Sequence, residues 1–297
     1  MRFGVCIPNY GETSSLEGLR AVAVESERLG YASVWTTDHV LMPRNSGTPY
    51  ERIFDSIASL AYIAAITEKV KLGISSLIIA MRNPVVAAKQ LATVDSLSGG
   101  GRVLLAMGAG WNETEFSFLG ADFHTRGKKL DESILLFRSL WRGDANFEGK
   151  ALNLKFHDAV FEPLPARSQI PILIGGTSPA AMKRAADLGD AWHPNVLPLD
   201  SFKLLVSKFR EVSPNARNKE ISVRIGLNTN ASQSDYIGAT GEKRILFSGN
   251  FEQNQEIISE LEALGVSSAL LVPSPDGKVS TQTQIQSIRE FAGKYLK

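Results

Sequence analysis

The chain has 297 residues, of which 43% are hydrophobic, and this is enough to bury the core of one large domain or of two smaller ones. Lys and Arg total 32 against 31 Asp and Glu, so the net charge of +1 provides no long-range field that would attract nucleic acid or an anionic membrane. We therefore expect no nucleic-acid partner and no membrane association, and because the opening MRFGVCIPNY lacks a signal-peptide core we expect a cytoplasmic protein.

The first unit sets a pattern in which a β-rich run precedes a segment with helical periodicity. A strand is predicted over residues 2–8 and a helix over 16–29, where Ser14 and Glu17 are spaced as a capping box and Gly30 ends the helix. The order repeats, with further strands predicted at residues 32–35, 70–77, 102–108, 171–174, 190–192, 221–227 and 267–272. Helices are predicted between them, at residues 55–67, from 84 onward, at 129–141, 178–188 and 201–212, around 257–264 and at the end of the chain.

Two stretches interrupt this alternation. Residues 144–168 contain short extended pieces around the turn-like Glu148, Gly149 and Lys150, which predicts an inserted hairpin. Residues 231–249 are rich in polar and small side chains, and we expect a loop there.

Eight strands alternate with eight helices, and no change of composition resembles a linker. This pattern predicts an α/β fold, a single (β/α)8 TIM barrel domain over residues 1–297, with the insertion at about 144–168 after the fourth barrel unit. In such barrels the chemistry takes place in the loops that follow the strands. The informative residues are therefore those just beyond the carboxyl end of each strand.

An acid and an imidazole, Asp38 and His39, follow the second predicted strand. Imidazole titrates near neutral pH, so His39 could give or take a proton at the barrel mouth. The alternative is a loop histidine whose hydrogen bonds are satisfied by its neighbours. Position at a strand end favours a functional role.

The fifth strand leads into Gly175, Gly176, Thr177 and Ser178, and then directly into a helix that begins with Pro179. The glycines allow the backbone to approach a ligand closely, Ser178 can cap the helix, and proline is favourable in its first turn. Free N–H groups and the helix dipole would then attract an anion. An ordinary strand-to-helix turn is the alternative to a phosphate site.

The fourth strand ends in Gly108, Gly110, Trp111 and Glu113. The Gly-x-Gly lacks the third glycine of a dinucleotide-binding fingerprint, so that interpretation fails. A planar ligand could lie against Trp111, or the indole could simply pack at the barrel rim.

Small residues also end the third strand, at Gly73, Ser75 and Ser76. Room for a ring system is one explanation of their size.

Together these pieces resemble the bacterial-luciferase-like superfamily, and within it the branch of deazaflavin-dependent oxidoreductases that use coenzyme F-420. The matching segments cover nearly the whole chain in order: RFGVCIPNY, VWTTDHV, KLGISSLIIAMRNPVVAAKQLATVDSLSGGGRVLLAMGAGWNETEF, RGKKLDESILLFRSLW, FEPLPARSQIPILIGGTSPAAMKRAADLGDAW and ELEALGVSSALLV.

The resemblance implies a luciferase-like (β/α)8 barrel, usually a homodimer, with a flavin-like ring over the mouth. It implies a bulge with a non-proline cis peptide behind the ring, at Ser75 and Ser76 here. The resemblance also implies three further sets of cofactor contacts. The family's phosphate-binding residues correspond to Gly175, Gly176, Thr177 and Ser178, and those that line the approach correspond to Gly108 and Gly110. The residues that touch the ring and the substrate correspond to Asp38 and His39.

The chain departs from the sugar-phosphate dehydrogenases of this branch at two places. Those enzymes carry a tryptophan shortly after the Asp-His pair and a glutamate directly after the Gly-x-Gly, whereas this chain has Leu41, Met42 and Pro43 at the first place and Trp111 at the second. The resemblance therefore does not extend to a sugar-phosphate substrate. Glu113 could act as an acid or could be a solvated carboxylate that opens the next helix.

The resulting hypothesis is an oxidoreductase that transfers a hydride between F-420 and a small organic substrate, with His39 as the residue that handles the proton and Asp38 and Glu113 as further catalytic candidates. The alternatives are an FMN-dependent luciferase-like monooxygenase, a flavin-binding barrel without turnover, and a phosphosugar lyase or isomerase. The last would need a Schiff-base lysine or a metal at the mouth. No lysine directly follows a predicted strand, and we expect no metal on Asp38, His39 and His193.

Overall fold

The structure, a computed structural model, describes residues 1–296. The strands in this range are β1 (Arg2–Cys6), β2 (Ser33–Thr36), β3 (Lys71–Leu77), β4 (Val103–Met107), β5 (Phe147–Gly149), β6 (Leu154–Phe156), β7 (Ile172–Gly175), β8 (Ala191–His193), β9 (Glu220–Leu227), β10 (Asp235–Ile237), β11 (Lys243–Phe247) and β12 (Val266–Val272). The α-helices are α1 (Leu16–Arg28), α2 (Ser56–Ile66), α3 (Pro84–Leu97), α4 (Glu113–Phe118), α5 (Arg126–Trp141), α6 (Pro179–Asp187), α7 (Leu199–Glu211), α8 (Phe251–Ala263) and α9 (Thr281–Tyr295). None of these helices is long and apolar enough to cross a membrane.

Eight parallel strands close into a barrel in the order β1, β2, β3, β4, β7, β8, β9, β12. Closure is made by β12 and β1, which pair from Arg2 with Ser268 to Val5 with Leu271. The predicted (β/α)8 fold is thus confirmed. The main core lies between the barrel and its helices, where large side chains such as Trp141, Trp192 and Phe291 are fully buried.

Short polar side chains cap the starts of several helices. The side-chain Oδ1 of Asn83 accepts hydrogen bonds from two N–H groups in the first turn of α3, and the hydroxyl of Ser178 accepts one from Ala181 in α6. The N-cap of α1 is Ser15, one residue beyond the predicted Ser14, which instead bonds the side chain of Arg52. The capping residue of α6 is thus the predicted one, whereas that of α1 lies one residue later than predicted.

The insertion after the fourth barrel unit contains the expected hairpin. Strands β5 and β6 pair antiparallel from Phe147 with Phe156 to Gly149 with Leu154. The carboxylate of Glu132 on α5 accepts hydrogen bonds from the N–H groups of Ala151 and Leu152, so the hairpin turn is anchored to the barrel.

The predicted loop at 231–249 is wrong. Strands β10 and β11 form an antiparallel hairpin there, and Leu246 and Phe247 of β11 pair in parallel with the carboxyl end of β9. The short apolar run of β11 is buried, and Gly226 on β9 leaves room for the ring of Tyr236 on β10. Burial of β11 therefore overrides the polar composition of the surrounding segment.

Candidate active site at the barrel mouth

His39 follows β2 at the barrel mouth and bonds a carboxylate that sequence reasoning missed. Its Nδ1 lies 2.7 Å from Oε2 of Glu115 on α4, and both side chains are buried, with 4% and 1% of their surface exposed. The other oxygen of Glu115 accepts hydrogen bonds from the N–H groups of Val40 (2.7 Å) and Leu41 (3.2 Å). Glu115 thus holds both His39 and the two residues that follow it.

The charge on Glu115 determines which nitrogen of His39 carries a proton. Burial alone would raise the pKa of Glu115, but the hydrogen bonds from His39, Val40 and Leu41 hold that pKa below its usual value. An ionised Glu115 only accepts, so Nδ1 of His39 must be the donor. In neutral His39 the Nε2 atom is then the free base.

The second nitrogen of His39 is accessible to a ligand. Within residues 1–296 the buried side-chain polar atoms that lack a hydrogen-bond partner are Arg82 Nε and Asn195 Oδ1. The Nε2 of His39 has no partner in this range and is not one of these buried atoms, so it keeps some contact with solvent at the mouth. The rings of Tyr50, stacked at 4.6 Å, and Trp111, edge-on at 5.8 Å, flank the imidazole. This geometry suits an acid or base that meets a planar ligand.

Asp38 lies beside His39 in sequence, but its carboxylate has other partners. Its oxygens accept hydrogen bonds from Ser56 Oγ at 2.6 Å, from the N–H of Ile78 at 2.9 Å and from Arg82. Ile78 directly follows β3, so Asp38 connects the end of β2 to the end of β3. These contacts favour a positioning role over direct contact with a substrate.

Glu113 lies at the start of α4 and faces solvent, with 65% of its side chain exposed. Its nearest charged partner is His124, also exposed, at 3.7 Å. The structure therefore does not bring Glu113 to His39, whereas Glu115, two residues further along α4, is in direct contact.

The glycine-rich strand ends meet around Ser76. A Cβ atom added to Gly108 would lie 3.4 Å from Cβ of Ser76, and one added to Gly175 would lie 3.0 Å from its Oγ. The register of β3 against β4 shifts between Ile74 and Leu77, and the Ser75–Ser76 peptide is cis, as the resemblance implied. Predicted cofactor residues from β3, β4 and β7 are thus neighbours.

The turn between β7 and α6 presents free backbone donors. Gly176 has a φ of +104° and is exposed, its carbonyl accepts a hydrogen bond from Trp192 Nε1 at 2.8 Å, and within residues 1–296 the N–H groups of Thr177 and Ser178 donate to no acceptor. These groups and the start of α6 can hold a phosphate. Gly110, also at positive φ, and the half-exposed Trp111 lie on the neighbouring loop after β4.

Trp35 and His193 close the lumen below this mouth. Their rings stack at 5.6 Å, and a Cβ added to Gly73 would lie 2.1 Å from the indole of Trp35. The small residue at position 73 therefore makes room for Trp35, which corrects the idea that it makes room for a bound ring. Beyond Trp35, a cavity of about 350 Å³ opens at the amino-terminal end of the barrel.

His193 is a neutral part of this floor. Its Nδ1 lies 3.1 Å from the carbonyl oxygen of Ser222, which can only accept, so Nε2 accepts from the hydroxyl of Ser75 at 2.9 Å. Burial, with the nearby positive charge of Arg224, lowers the pKa of His193 to about 3. The side chain of Ser75 thus faces His193, and its carbonyl accepts a hydrogen bond from Arg224 at 2.8 Å.

A family model for luciferase-like monooxygenases matches residues 1–236 of this chain. The chain belongs to the luciferase-like monooxygenase family.

Two curated relatives of this luciferase-like chain have different cofactors in their names. The F-420-dependent glucose-6-phosphate dehydrogenase of Amycolatopsis mediterranei is 34% identical over 180 residues, which cover 57% of this chain and 50% of the relative. The FMNH2-dependent dimethylsulfone monooxygenase of Pseudomonas putida is 29% identical over 213 residues, which cover 70% of this chain and 56% of the relative. The luciferase-like chain thus spans about half the length of these relatives.

Solved structures confirm the luciferase-like barrel over the whole chain. The monooxygenase RslO1 from Streptomyces bottropensis superposes with a TM-score of 0.80 at 19% identity and covers 100% of this chain and 99% of its own. An F-420-dependent secondary alcohol dehydrogenase superposes with a TM-score of 0.77 at 18% identity and covers 97% of both chains. Because both kinds of enzyme share this fold, the fold alone does not select a cofactor.

Two residues of the luciferase-like site had detectable signals in the sequence. Glu115 precedes Phe116 in a short amphipathic helix, and both are buried, so the helical period could have selected it over Glu113. Arg224 is the one charged residue of the strand predicted at 221–227, where a lone charge in an apolar run indicates a special environment.

Asp38, His39 and His193 have separate hydrogen-bond partners in this luciferase-like chain. Each bonds a different set of partners, and within residues 1–296 no three His, Cys, Asp or Glu side chains converge in a way that could hold a metal ion.

Proposed function

We propose that this chain is an oxidoreductase that transfers a hydride between coenzyme F-420 and a small organic substrate. The observation that carries the proposal is His39 at the barrel mouth, its Nδ1 fixed by an ionised Glu115 and its Nε2 open beside Tyr50 and Trp111. In this state His39 can take a proton from a substrate hydroxyl or return one to a carbonyl.

The residues at the mouth fit a phosphate-bearing ring cofactor. A Cβ on Gly175 would lie 3.0 Å from the hydroxyl of Ser76 and one on Gly108 would touch Ser76 at 3.4 Å, so the bare backbone of these glycines is what a flat ligand could approach. The open N–H groups of Thr177 and Ser178 would hold the phosphate. When bound, the deazaflavin would accept or give the hydride, and the chain would position it and manage the proton.

Relatives support F-420 as the first choice of cofactor and FMN as the second. The dehydrogenase relative at 34% identity is named for F-420, and the monooxygenase relative at 29% identity is named for FMNH2. An FMN-dependent monooxygenase is therefore the second candidate function.

Separate titrations of the purified protein with F-420 and with FMN test this choice, with cofactor fluorescence as the readout. We expect saturable F-420 binding and at least tenfold weaker FMN binding. Tight FMN binding without F-420 binding would refute the deazaflavin proposal and favour the monooxygenase.

The substitution His39→Ala tests the proton-handling role. We expect turnover to fall about 100-fold or more, as for loss of a general acid or base, while F-420 affinity changes little. If turnover with an F-420-coupled substrate is unchanged, His39 has no part in the chemistry.

We also expect a homodimer from the family resemblance, which analytical ultracentrifugation would test.

A further inference from the structure

Arg224 crosses the barrel lumen at the mouth. It lies on β9, and its guanidinium reaches the ends of strands on the far side, where it donates to the carbonyl of Ser75 at 2.8 Å and to the hydroxyl of Thr37 at 3.2 Å. Its backbone forms an isolated parallel β-bridge with Asn195, which follows β8.

The guanidinium has no counter-ion in the part of the chain described. Within residues 1–296 no carboxylate lies within 4.0 Å of it, whereas the buried guanidinium of Arg184 pairs with Asp131 and that of Arg82 pairs with Asp38. The ionisable groups around Arg224 are Cys6, Tyr10, Tyr50, Tyr236 and the neutral His193.

Two of these neighbours, Tyr10 and Tyr50, are neutral at physiological pH. Burial raises the pKa of Tyr10 and Tyr50 further above their usual value near 10, so their hydroxyls stay protonated. Arginine remains a cation in proteins. A positive charge without a partner is costly inside a barrel unless a ligand brings the negative charge.

Asn195 provides a second unsatisfied group next to the first. Its Oδ1 is buried and has no hydrogen-bond partner within residues 1–296. Register partners on parallel strands point to the same face of a sheet. His193 and Ser222 lie two residues before Asn195 and Arg224, respectively, and both point into the lumen, so the later pair points there too. Asn195 and Arg224 therefore both face the lumen. The Oδ1 of Asn195 lacks a hydrogen-bond donor, and the guanidinium of Arg224 lacks an anion.

The side chains of Cys6 and the three tyrosines around Arg224 come from elements other than the β7–α6 turn. Cys6 and Tyr10 come from β1 and the residues after it, Tyr50 comes from the loop after β2, and Tyr236 comes from the β10–β11 hairpin. None belongs to the Gly175–Ser178 turn that would hold the cofactor phosphate. An anion at Arg224 would thus be a different group from that phosphate.

We infer that Arg224 and Asn195 form a substrate subsite for a small organic anion that carries a hydroxyl group. Arg224 would bind the carboxylate of such a molecule, and Asn195 would accept a hydrogen bond from its hydroxyl. The inference rests on the proposed function, to which it adds the class of substrate.

Thermal denaturation of the wild-type protein with glycolate as the probe tests the subsite without turnover. Acetate lacks the hydroxyl, acetamide lacks the charge, and sodium chloride at equal ionic strength controls for screening. We expect glycolate to raise Tm on the order of 5 °C at 100 times its Kd, acetate to raise it less, and acetamide and chloride to leave it unchanged. No response to glycolate in the wild type overturns the inference.

Variants assign the response to the two side chains. Arg224→Met should abolish the response to both anions, Arg224→Lys should keep most of it, and Asn195→Leu should make glycolate and acetate equivalent. Arg244→Met is the matched control, because this arginine of β11 is already paired with Glu242, and it should respond like the wild type. An undiminished glycolate response in Arg224→Met would place the anion elsewhere, for example at the Gly175–Ser178 turn, and would overturn the inference.

If Arg224→Met does not fold, two results still test the subsite. They are the Tm response of Arg224→Lys and the difference between glycolate and acetamide in the wild type. Fluorescence titration of the same samples with F-420 separates the two hypotheses. F-420 binding without a glycolate response refutes the subsite and leaves the proposed function intact. A glycolate response that depends on Arg224, without F-420 binding, refutes the cofactor and retains the subsite.

Discussion

His39 has two ring nitrogens in different surroundings, and Glu115 decides which of them is available. A carboxylate that also accepts hydrogen bonds from Val40 and Leu41 cannot rotate away, so it fixes the orientation of the ring as well as its tautomer. This is the division of labour seen wherever a buried acid orients a catalytic imidazole.

The substitution Glu115→Gln tests this arrangement because it keeps the shape and removes the charge. An amide can donate to Nδ1 and so stabilise the wrong tautomer, and we expect F-420-coupled turnover to fall about 10- to 100-fold. Glu113→Gln on the same helix is the control and should stay within twofold of the wild type, since Glu113 faces solvent. Equal losses of turnover in the two variants would mean that Glu115 has no specific role in orienting His39.

Single side chains were the hardest part of the site to predict from the sequence. The Asp-His pair was found because it follows a strand, yet the partners of Asp38 lie 18 to 44 residues away and could be known only from the fold. Arg224 has a local signal as a lone charge in its strand, but its pairing with Asn195 was not predictable, because no local pattern encodes the strand register that makes them neighbours.

At the scale of elements, the mouth depends on three strand ends that converge on Ser76. Their glycines keep the backbones close, and each added atom at Gly108 or Gly175 would intrude on the same small space. A cofactor that uses this space should therefore be sensitive to one methyl group.

Gly175→Ala adds that methyl group 3.0 Å from the hydroxyl of Ser76. Gly175 does not have positive φ, so the backbone carries no penalty, and we expect F-420 affinity to fall roughly tenfold with less than about 1 kcal/mol change in stability. Gly293→Ala in α9, where an added Cβ meets no atom within 4 Å, is the control. Unchanged F-420 affinity in Gly175→Ala would argue that the cofactor does not use this space.

The β10–β11 hairpin is the second element that the mouth depends on, since it carries Tyr236. A Cβ at Gly226 would lie 2.7 Å from Leu246 and 2.8 Å from the ring of Tyr236, so Gly226→Ala should loosen the hairpin and lower stability by about 1–3 kcal/mol. Faster cleavage by a protease at the turn around residue 240 would report the loosening. A cleavage rate equal to that of the wild type would mean that the hairpin does not depend on this contact.

Element positions were largely predictable, because alternating strands and helices leave strong periodic signals with clear caps. The segment at 231–249 was not, since only three consecutive apolar residues, Ile245 to Phe247, indicate a strand near the end of a polar stretch. Such a strand exists only because β9 offers it an edge to pair with.

For the molecule as a whole, the buried floor of the barrel makes stability depend on pH. His193 has a folded pKa of about 3, because of its burial and the charge of Arg224, and a pKa near 6.5 when unfolded. The unfolded chain therefore binds more protons between these values, so the stability is complete above about pH 6.5 and declines as the pH falls toward 3.

His193→Asn should flatten this decline by up to about 1.4 kcal/mol per pH unit between pH 6.5 and 4.5. Below that range the depressed pKa of Glu115 adds a second loss of stability as its carboxylate becomes protonated. Urea unfolding at a series of pH values measures the slope, with His157→Asn in the exposed insertion as the control. A slope as steep in His193→Asn as in the wild type would mean that another group controls the decline.

The closed barrel itself was predictable because its evidence is a count of alternating units and needs no side-chain contact. Barrel closure then follows from the pairing of the first and last strands, β1 and β12. What the count could not provide is the content of the lumen, where Trp35, His193 and Arg224 take the space.

The stack of Trp35 on His193 has a kinetic consequence. The stacked rings lie beneath the mouth, and a substrate held under Tyr50 and the β10–β11 hairpin would lie over any cofactor bound at Ser76. The molecule that enters first must leave last. Turnover should then be sequential and ordered, with the oxidised and reduced forms of the cofactor competing directly for the free protein.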